Sequence, residues 1–132
     1  MNLSLLSLDE RLWKEVRPLV AKALEHDGGK WTPLDIMKAV MKGEFQLWGA
    51  IDGGIKGIGV TRVAQFPQKK VCEMFLVSGK EMDQWDKYLN DIEQWAKSNG
   101  CSEISFSGRL GWLRKGRKYG FHFDCVQMNK EI

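Results

Sequence analysis

Three strand patterns in a row, joined by short turns, constrain the fold of this chain more than any other feature of its sequence. Asp52-Gly53-Gly54 separates the first two strands, because glycine adopts the positive φ that a tight hairpin needs. A turn around Pro67 separates the second from the third. Consecutive strands joined in this way form an antiparallel meander. The three strands are predicted at residues 45–51, 55–65 and 71–77.

A crossover connection follows this meander. From Met82 to Trp95, apolar residues recur at intervals of three and four, which predicts a helix with one buried face. Asn99-Gly100 ends this helix, because both residue types tolerate the left-handed cap conformation. Residues 101–107 form the next strand pattern. A strand reached through a helix lies parallel to the strand before that helix, so one parallel pair is predicted.

Further elements are predicted on both sides of this unit. Ser7-Leu8-Asp9-Glu10 has the form of a capping box for a helix that Pro18 kinks or divides. Thr32-Pro33 begins a second helix with a capping hydroxyl and a proline at its first position. The other predicted elements are a first strand at residues 2–7, a short basic helix from Arg109 to Lys118, and a last strand from Phe121 to Met128.

Length and composition bound the class of protein. With 132 residues the chain has room for one domain, so we predict a single domain over residues 1–132. Its 43% hydrophobic and 28% charged residues exclude a disordered chain. The predicted architecture is α/β (α+β): a mixed, mostly antiparallel sheet of about six strands, flanked by helices, with one parallel pair at the centre.

Charge and cysteine content bound the partners and the compartment. The net charge of +3 favours anionic partners without naming one. Cys72, Cys101 and Cys125 are widely spaced, so we predict neither a disulfide framework nor a metal site. No basic leader begins the sequence, and no stretch approaches the roughly 18 apolar residues of a membrane span. We therefore expect a cytoplasmic protein without a membrane partner.

The order of elements, with Tyr119-Gly120-Phe121 after the basic helix, resembles the GNAT superfamily of acyl-CoA N-acyltransferases over nearly the whole chain. The run Cys101, Gly108-Arg109, Gly111-Trp112 and Gly120-Phe121 is similar to small GNAT-like proteins of tailed phages. The resemblance implies a GNAT-like fold and acyl transfer to an amine, with acetyl-CoA as cosubstrate. For a phage protein, the compartment is the host cytoplasm or the virion.

The resemblance also implies a place for the coenzyme. In this family the strand before the long helix separates from its parallel neighbour, and its backbone binds the pantetheine arm. The pyrophosphate then lies at the start of the helix. We expect a gap between residues 74–78 and 103–107. The implied coenzyme-binding residues are Leu76, Val77, Ser78, Gly79 and Lys80, with Arg109 from the basic helix.

Two features depart from the family pattern. Residues 78–85 contain one glycine instead of a glycine-rich phosphate loop, and Glu81 and Asp83 oppose a pyrophosphate at a helix start. The usual tyrosine acid, four residues before the glycine of the Gly-Phe pair, is replaced by Gly116. Tyr119 is then either the acid or a packing residue. The alternative function is a non-catalytic module that binds a phage or host protein, for example in virion assembly.

A general base must remove a proton from the amine. Glu73 lies on the strand that lines the expected cleft, and Glu44 precedes an adjacent strand. Each is a candidate base or a solvated carboxylate. His26, at a helix end, and His122, on the last strand, are either solvated or catalytic.

The basic helix is the strongest charge feature of the sequence, with five cations between Arg109 and Lys118 and no acidic residue. It is either a solvated face or a surface for coenzyme phosphates, an acidic protein or nucleic acid. We do not expect nucleic acid as the main partner, because the net charge is small.

Overall fold

The computed structural model describes residues 2–79, 85–108 and 111–132. The described elements follow the predicted order as far as the basic helix. They are β1 (Asn2–Leu5), α1 (Glu10–Leu24), α2 (Pro33–Met41), β2 (Phe45–Ile51), β3 (Ile55–Gln65), β4 (Lys70–Gly79), α3 (Trp85–Ser98), β5 (Glu103–Phe106) and α4 (Gly111–Lys118).

The strands form one mixed sheet in the order β1-β2-β3-β4-β5. The first four strands pair antiparallel, which confirms the predicted meander. β4 and β5 pair parallel, as the crossover through α3 requires. The predicted α+β class is therefore confirmed, with five described strands instead of about six.

The predicted last strand is wrong. Residues 121–132 form no strand, and His122 lies in this exposed irregular segment. Alternation predicts a strand only when one face becomes buried, whereas the side chains of Phe123 and Val126 are 51% and 70% exposed. β5 is consequently the edge of the described sheet, so the parallel pair is not at its centre.

Two details of α1 also differ from prediction. Asp9, not Ser7, caps the helix, and its Oδ1 accepts a hydrogen bond of 2.7 Å from the backbone N–H of Leu12. The helix continues through Pro18 instead of dividing. Its buried face holds it against the sheet, which compensates for the backbone hydrogen bond that proline removes. The residues of that face are Val16, Val20 and Leu24.

Helices cover both faces of the sheet. α1 packs on β3 and β4, and α2 packs on β2, around a core that includes Val20, Leu47 and Val60. α3 packs against the other face, around Leu89 and Ile92. None of the helices in the described ranges has the length and apolar character that a bilayer crossing requires.

Candidate functional site

A β-bulge divides β4 into two parts. Val60 of β3 is opposite Leu76, but the next residue of β3, Thr61, is opposite Met74. Phe75 therefore has no partner residue on β3. A bulge of this kind bends the strand and increases its local twist, so it changes the direction in which β4 continues.

The parallel pairing ends at the same place. β4 and β5 pair from Val71 opposite Glu103 to Met74 opposite Phe106. Residues 70–74 are hereafter the closed half of β4, and residues 75–79 are the open half. In the described part of the chain, no strand pairs with the open half on the side of β5, although β3 still pairs with it on the other side. The pairing therefore ends inside the range where a gap between the two strands is expected.

Four of the implied coenzyme-binding residues lie in the open half: Leu76, Val77, Ser78 and Gly79. Within the described residues, the buried hydroxyl Oγ of Ser78 has no hydrogen-bond partner. Among the described residues, the open half therefore has an unpaired backbone edge on the side of β5 and one buried hydroxyl without a hydrogen-bond partner. Buried polar groups of this kind usually find a partner. Lys80 and Arg109, the other two implied residues, lie outside the described residues.

Glu73 lies in the closed half, two residues before the bulge. It is opposite Ser105 of β5 and Arg62 of β3. The Nε of Arg62 donates a hydrogen bond of 2.7 Å to Oε2 of Glu73. The carboxylate is therefore held by a cross-strand ion pair at the point where the two parallel strands stop pairing.

Three aromatic side chains, hereafter the aromatic group, lie beside this ion pair. The ring centroids of Phe75 and Phe45 are 4.9 Å apart, and those of Trp31 and Phe45 are 5.3 Å apart. The guanidinium carbon of Arg62 lies 5.3 Å from the centroid of Phe75, within the range of a cation–π interaction. The group packs against the core beneath α1 and α2. Glu73 therefore adjoins an aromatic wall.

The loop between α1 and α2 is folded so that Trp31 reaches the sheet. Asp27 accepts hydrogen bonds from the backbone N–H groups of Gly29, at 2.8 Å, and Trp31, at 3.1 Å. Gly28 and Gly29 adopt φ of 78° and 77°, which lets the loop turn tightly around this carboxylate. The position of the indole is therefore set by local hydrogen bonds.

Several solved structures share the fold of this chain. A protein named as a probable acetyltransferase superposes with a TM-score of 0.77 at 17% identity, over 100% of this chain and 97% of its own. An aminoglycoside N-acetyltransferase in complex with CoA gives 0.74 at 10% identity, over 98% and 95%. Glucosamine-6-phosphate N-acetyltransferase from Arabidopsis thaliana gives 0.70 at 14% identity, over 99% of both chains.

The chain has the GNAT fold. The identities are low, so the likeness concerns the fold and not the substrate. No protein-family model matches the sequence, and no curated protein is similar enough to count as a match. The sheet order, the parallel pair and the bulged β4 are the features by which the chain presents this fold.

At Gly116, where the resemblance implies a tyrosine acid, neighbouring rings fill the space beside the helix. A Cβ on Gly116 would lie 3.2 Å from Cζ of Phe106 and 3.4 Å from Cβ of Phe121. These two rings stack edge to face, with centroids 4.8 Å apart. Tyr119 is half-buried against the core beneath α3, whereas Glu73 faces the aromatic group on the opposite side of the sheet. The surroundings of Tyr119 therefore support a packing role for this residue.

The other candidate residues do not meet at one site. Glu44 is exposed between α2 and β2, and its backbone N–H donates to Ala39. His26 is exposed in the turn after α1, and His122 is exposed in the segment after α4. Of the proposed bases, Glu73 alone adjoins the end of the parallel pairing. In the described ranges, no three His, Cys, Asp or Glu residues are grouped as metal ligands would be.

The sequence led us to propose Glu73 as a base, but it did not lead us to Arg62 or to the aromatic group. The missed signal was the register of the β3–β4 hairpin, which places Arg62 opposite Glu73. Counting back from the turn at Pro67 would have suggested this pair, since cross-strand neighbours of opposite charge attract each other. Trp31 could not have been found in this way, because a long loop carries it to the sheet.

A second polar cluster lies on β2 and β3, beside the closed half of β4. The indole N–H of Trp48 donates to Oγ1 of Thr61 at 3.0 Å, and that hydroxyl donates to Oε1 of Gln46 at 2.9 Å. Burial raises the pKa of the neighbouring Cys72 to about 11. Cys72 is fully buried, and at neutral pH its thiol stays protonated. This cluster has a packing role, since a buried neutral thiol is a poor nucleophile.

Proposed function

We propose that this protein is an acyl-CoA-dependent N-acyltransferase that transfers an acyl group, acetyl in the simplest case, to an amine. The observation that carries the proposal is the open half of β4, where the strand loses its parallel neighbour at the bulge and leaves one edge unpaired among the described residues. Strand edges elsewhere in proteins bind extended ligands through their main-chain groups. The GNAT fold supports the same assignment.

The open half fits the extended arm of an acyl-CoA. The arm contains amide groups that pair with a strand edge as another strand would. The backbone of Leu76, Val77, Ser78 and Gly79 would supply these hydrogen bonds. In this proposal Lys80 and Arg109 bind the phosphates. When bound, acyl-CoA supplies the activated acyl thioester, and its reactive end lies near Glu73, where the pairing of the strands ends.

Glu73 is the proposed general base. It accepts a proton from the ammonium or amine of the acceptor, and the nitrogen then attacks the thioester carbonyl. The new bond is C–N, the C–S bond breaks, and the thiolate of CoA takes up one proton. A thiol has a pKa of about 8.5, so the leaving group needs no strong acid and water at the open edge suffices. We therefore propose no catalytic role for Tyr119.

Thermal unfolding with acetyl-CoA tests the proposal most directly. A dissociation constant of about 10 μM would add about 2.7 kcal/mol to the free energy of unfolding at about 1 mM ligand. ATP at the same concentration is the matched control, because it has the adenine and phosphates without the arm. A shift with acetyl-CoA alone supports binding at the strand edge. No shift with acetyl-CoA would contradict the proposed function.

Turnover of Glu73→Gln tests the role of the base. Loss of general base catalysis should lower the rate about 100-fold or more, while the thermal shift with acetyl-CoA remains. A variant with unchanged turnover would show that another group, or water, takes the proton.

A second candidate is favoured by a different observation, the exposed cations of α4. Arg114, Arg117 and Lys118 are exposed, and no acidic side chain lies within that helix. Together with the acidic residues Glu81 and Asp83 at the phosphate position, this suits a non-catalytic GNAT-fold module of the phage type. Such a module would bind an acidic phage or host protein, for example during virion assembly. A thermal shift with heparin and none with acetyl-CoA would favour it.

We place either function in the cytoplasm. The three cysteines are free thiols, of which Cys72 is buried and Cys125 exposed, and free thiols persist in a reducing compartment.

A further inference from the structure

Arg62 is held in one orientation on two sides. Its Nε donates to Glu73 at 2.7 Å, and its guanidinium carbon lies 5.3 Å from the ring centroid of Phe75. Phe75 is in turn fixed by contact with Phe45, at 4.9 Å between centroids. An arginine fixed in this way loses little conformational freedom when it binds a further group.

Part of the guanidinium remains available for a ligand. Within the described residues, its two terminal nitrogens have no hydrogen-bond partner. The side chain of Arg62 is 43% exposed, against 23% for Glu73, so the pair opens toward solvent at the cation. Two adjacent N–H groups on a planar fork match the oxygens of a carboxylate or phosphate.

The charge at this place also restricts the acceptor. An amine arrives as an ammonium ion, and a neighbouring guanidinium repels it. An acceptor that carries its own anionic group presents that group to Arg62 and its nitrogen to Glu73. The anionic group also competes for the hydrogen bonds of Arg62, which frees Glu73 to accept a proton.

We infer that the acceptor is an amine bearing a carboxylate or phosphate group, and that Arg62 binds this group beside Glu73. This inference rests on the proposed acyl transfer. The aromatic group supplies the adjoining apolar wall, with Trp31 held over the sheet by Asp27. The carbon chain between the two charged groups of the acceptor packs there.

A second ion pair, between the residue just before β4 and the first residue of β5, provides a matched control. Lys69 donates to Glu103 at 2.6 Å, and the two side chains are 50% and 49% exposed. This pair links the start of β4 to the start of β5, at the other end of the closed half, and within the described ranges no aromatic ring packs on its cation. Lys69→Gln therefore removes a cross-strand cation of the same sheet without touching Arg62.

The experiment compares two pairs of acceptors with acetyl-CoA. β-Alanine against propylamine tests the carboxylate, and phosphoethanolamine against ethanolamine tests the phosphate. In the unmodified protein, the anionic member of at least one pair should have a kcat/KM about 10- to 100-fold higher, mainly through a lower KM. The pair that shows this preference identifies the anionic group.

Variants test whether Arg62 is the cause. Arg62→Gln should abolish the preference, and Arg62→Lys should keep only part of it, because lysine retains the charge but not the fork. Lys69→Gln should leave it unchanged. Thermal shifts with acetyl-CoA on each variant check that the fold and coenzyme binding remain.

Three outcomes would overturn the inference while the proposed function stands, provided that acetyl-CoA still binds. These are equal efficiency within both pairs, a preference that survives Arg62→Gln, and turnover of none of the four probes. Failure of acetyl-CoA to bind the unmodified protein would overturn the proposed function, and the inference with it.

Discussion

The two halves of β4 belong to one continuous strand but have different surroundings. In the closed half, Cys72 and Met74 lie in a core between β3, β5 and α3. In the open half, β3 pairs on one side only, and Ser78 has a buried hydroxyl without a partner among the described residues. Phe75, a single residue without an opposite partner on β3, therefore separates the part of β4 that is paired on both sides from the part that is paired with β3 alone.

Amide hydrogen exchange is the most direct test of whether the two halves of β4 differ. In the open half, amides that point away from β3 should exchange at least about 1,000-fold faster than those of the closed half, because no strand protects them. Their neighbours that point toward β3 should remain protected, which gives an alternating pattern along residues 75–79. Residue-resolved exchange measured by NMR checks this.

Acetyl-CoA should slow the same amides and leave the closed half unchanged. Uniform protection along the whole of β4 without ligand would show that the edge is covered, and the distinction between the two halves would fail.

The sequence predicts some of these strands and pairings and not others. The meander and the crossover follow from turn residues and hydrophobic period, which are local and therefore readable. The end of pairing between β4 and β5 was expected through family resemblance, not from the residues. Nothing in the alternation around Phe75 indicates a bulge, because both faces of β4 are buried by helices and apolar residues occur on both.

The prediction of a last strand was wrong for a related reason. Apolar and polar residues alternate from Phe121 onward, which favours an extended conformation. Alternation does not show that another strand is available for pairing. A strand also requires an edge with which to pair, and that requirement is set by tertiary structure.

Substitution of Gly79 tests how closely β3 approaches the far end of the open half. Gly79 has φ of +133°, and a Cβ there would meet the backbone of Gly57 and lie 2.6 Å from the carbonyl oxygen of Lys56. Backbone atoms cannot rotate away, so Gly79→Ala should lower the free energy of unfolding by about 3 kcal/mol. Urea unfolding measures the change.

Gly53→Ala is the matched control for that substitution. Gly53 also has positive φ, +68°, but a Cβ there would meet nothing within 4 Å. Gly53→Ala should therefore lower the free energy of unfolding by about 1 kcal/mol, from backbone strain alone. Equal costs at the two positions would mean that the close approach of β3 does not constrain the open half.

The pH dependence of stability probes the closed half. Burial raises the pKa of Cys72 from 9.0 to about 11, so the folded state favours the neutral thiol. Its contribution is complete below pH 9 and is lost as the pH rises toward 11. The difference in free energy of unfolding between the unmodified protein and Cys72→Ala should fall by about 2 kcal/mol between about pH 7 and 10.5.

Cys125→Ala, which removes an exposed thiol, controls for the loss of a cysteine as such. If the stability difference for Cys72→Ala stays constant with pH, the closed half admits water around the thiol, and the two halves are more alike than their pairing suggests.

The smallest expected effect lies at the boundary between the halves. Phe106 is opposite Met74 in the last parallel pair, and its ring lies 3.2 Å from where a Cβ on Gly116 would be. Gly116→Ala gains about 1 kcal/mol of helix propensity but requires that ring to move by a few tenths of an ångström. The two contributions should nearly cancel, which leaves the free energy of unfolding within about 0.5 kcal/mol of its original value. A loss above about 2 kcal/mol would mean that the ring cannot shift, and that the last pair is a rigid stop where β4 opens.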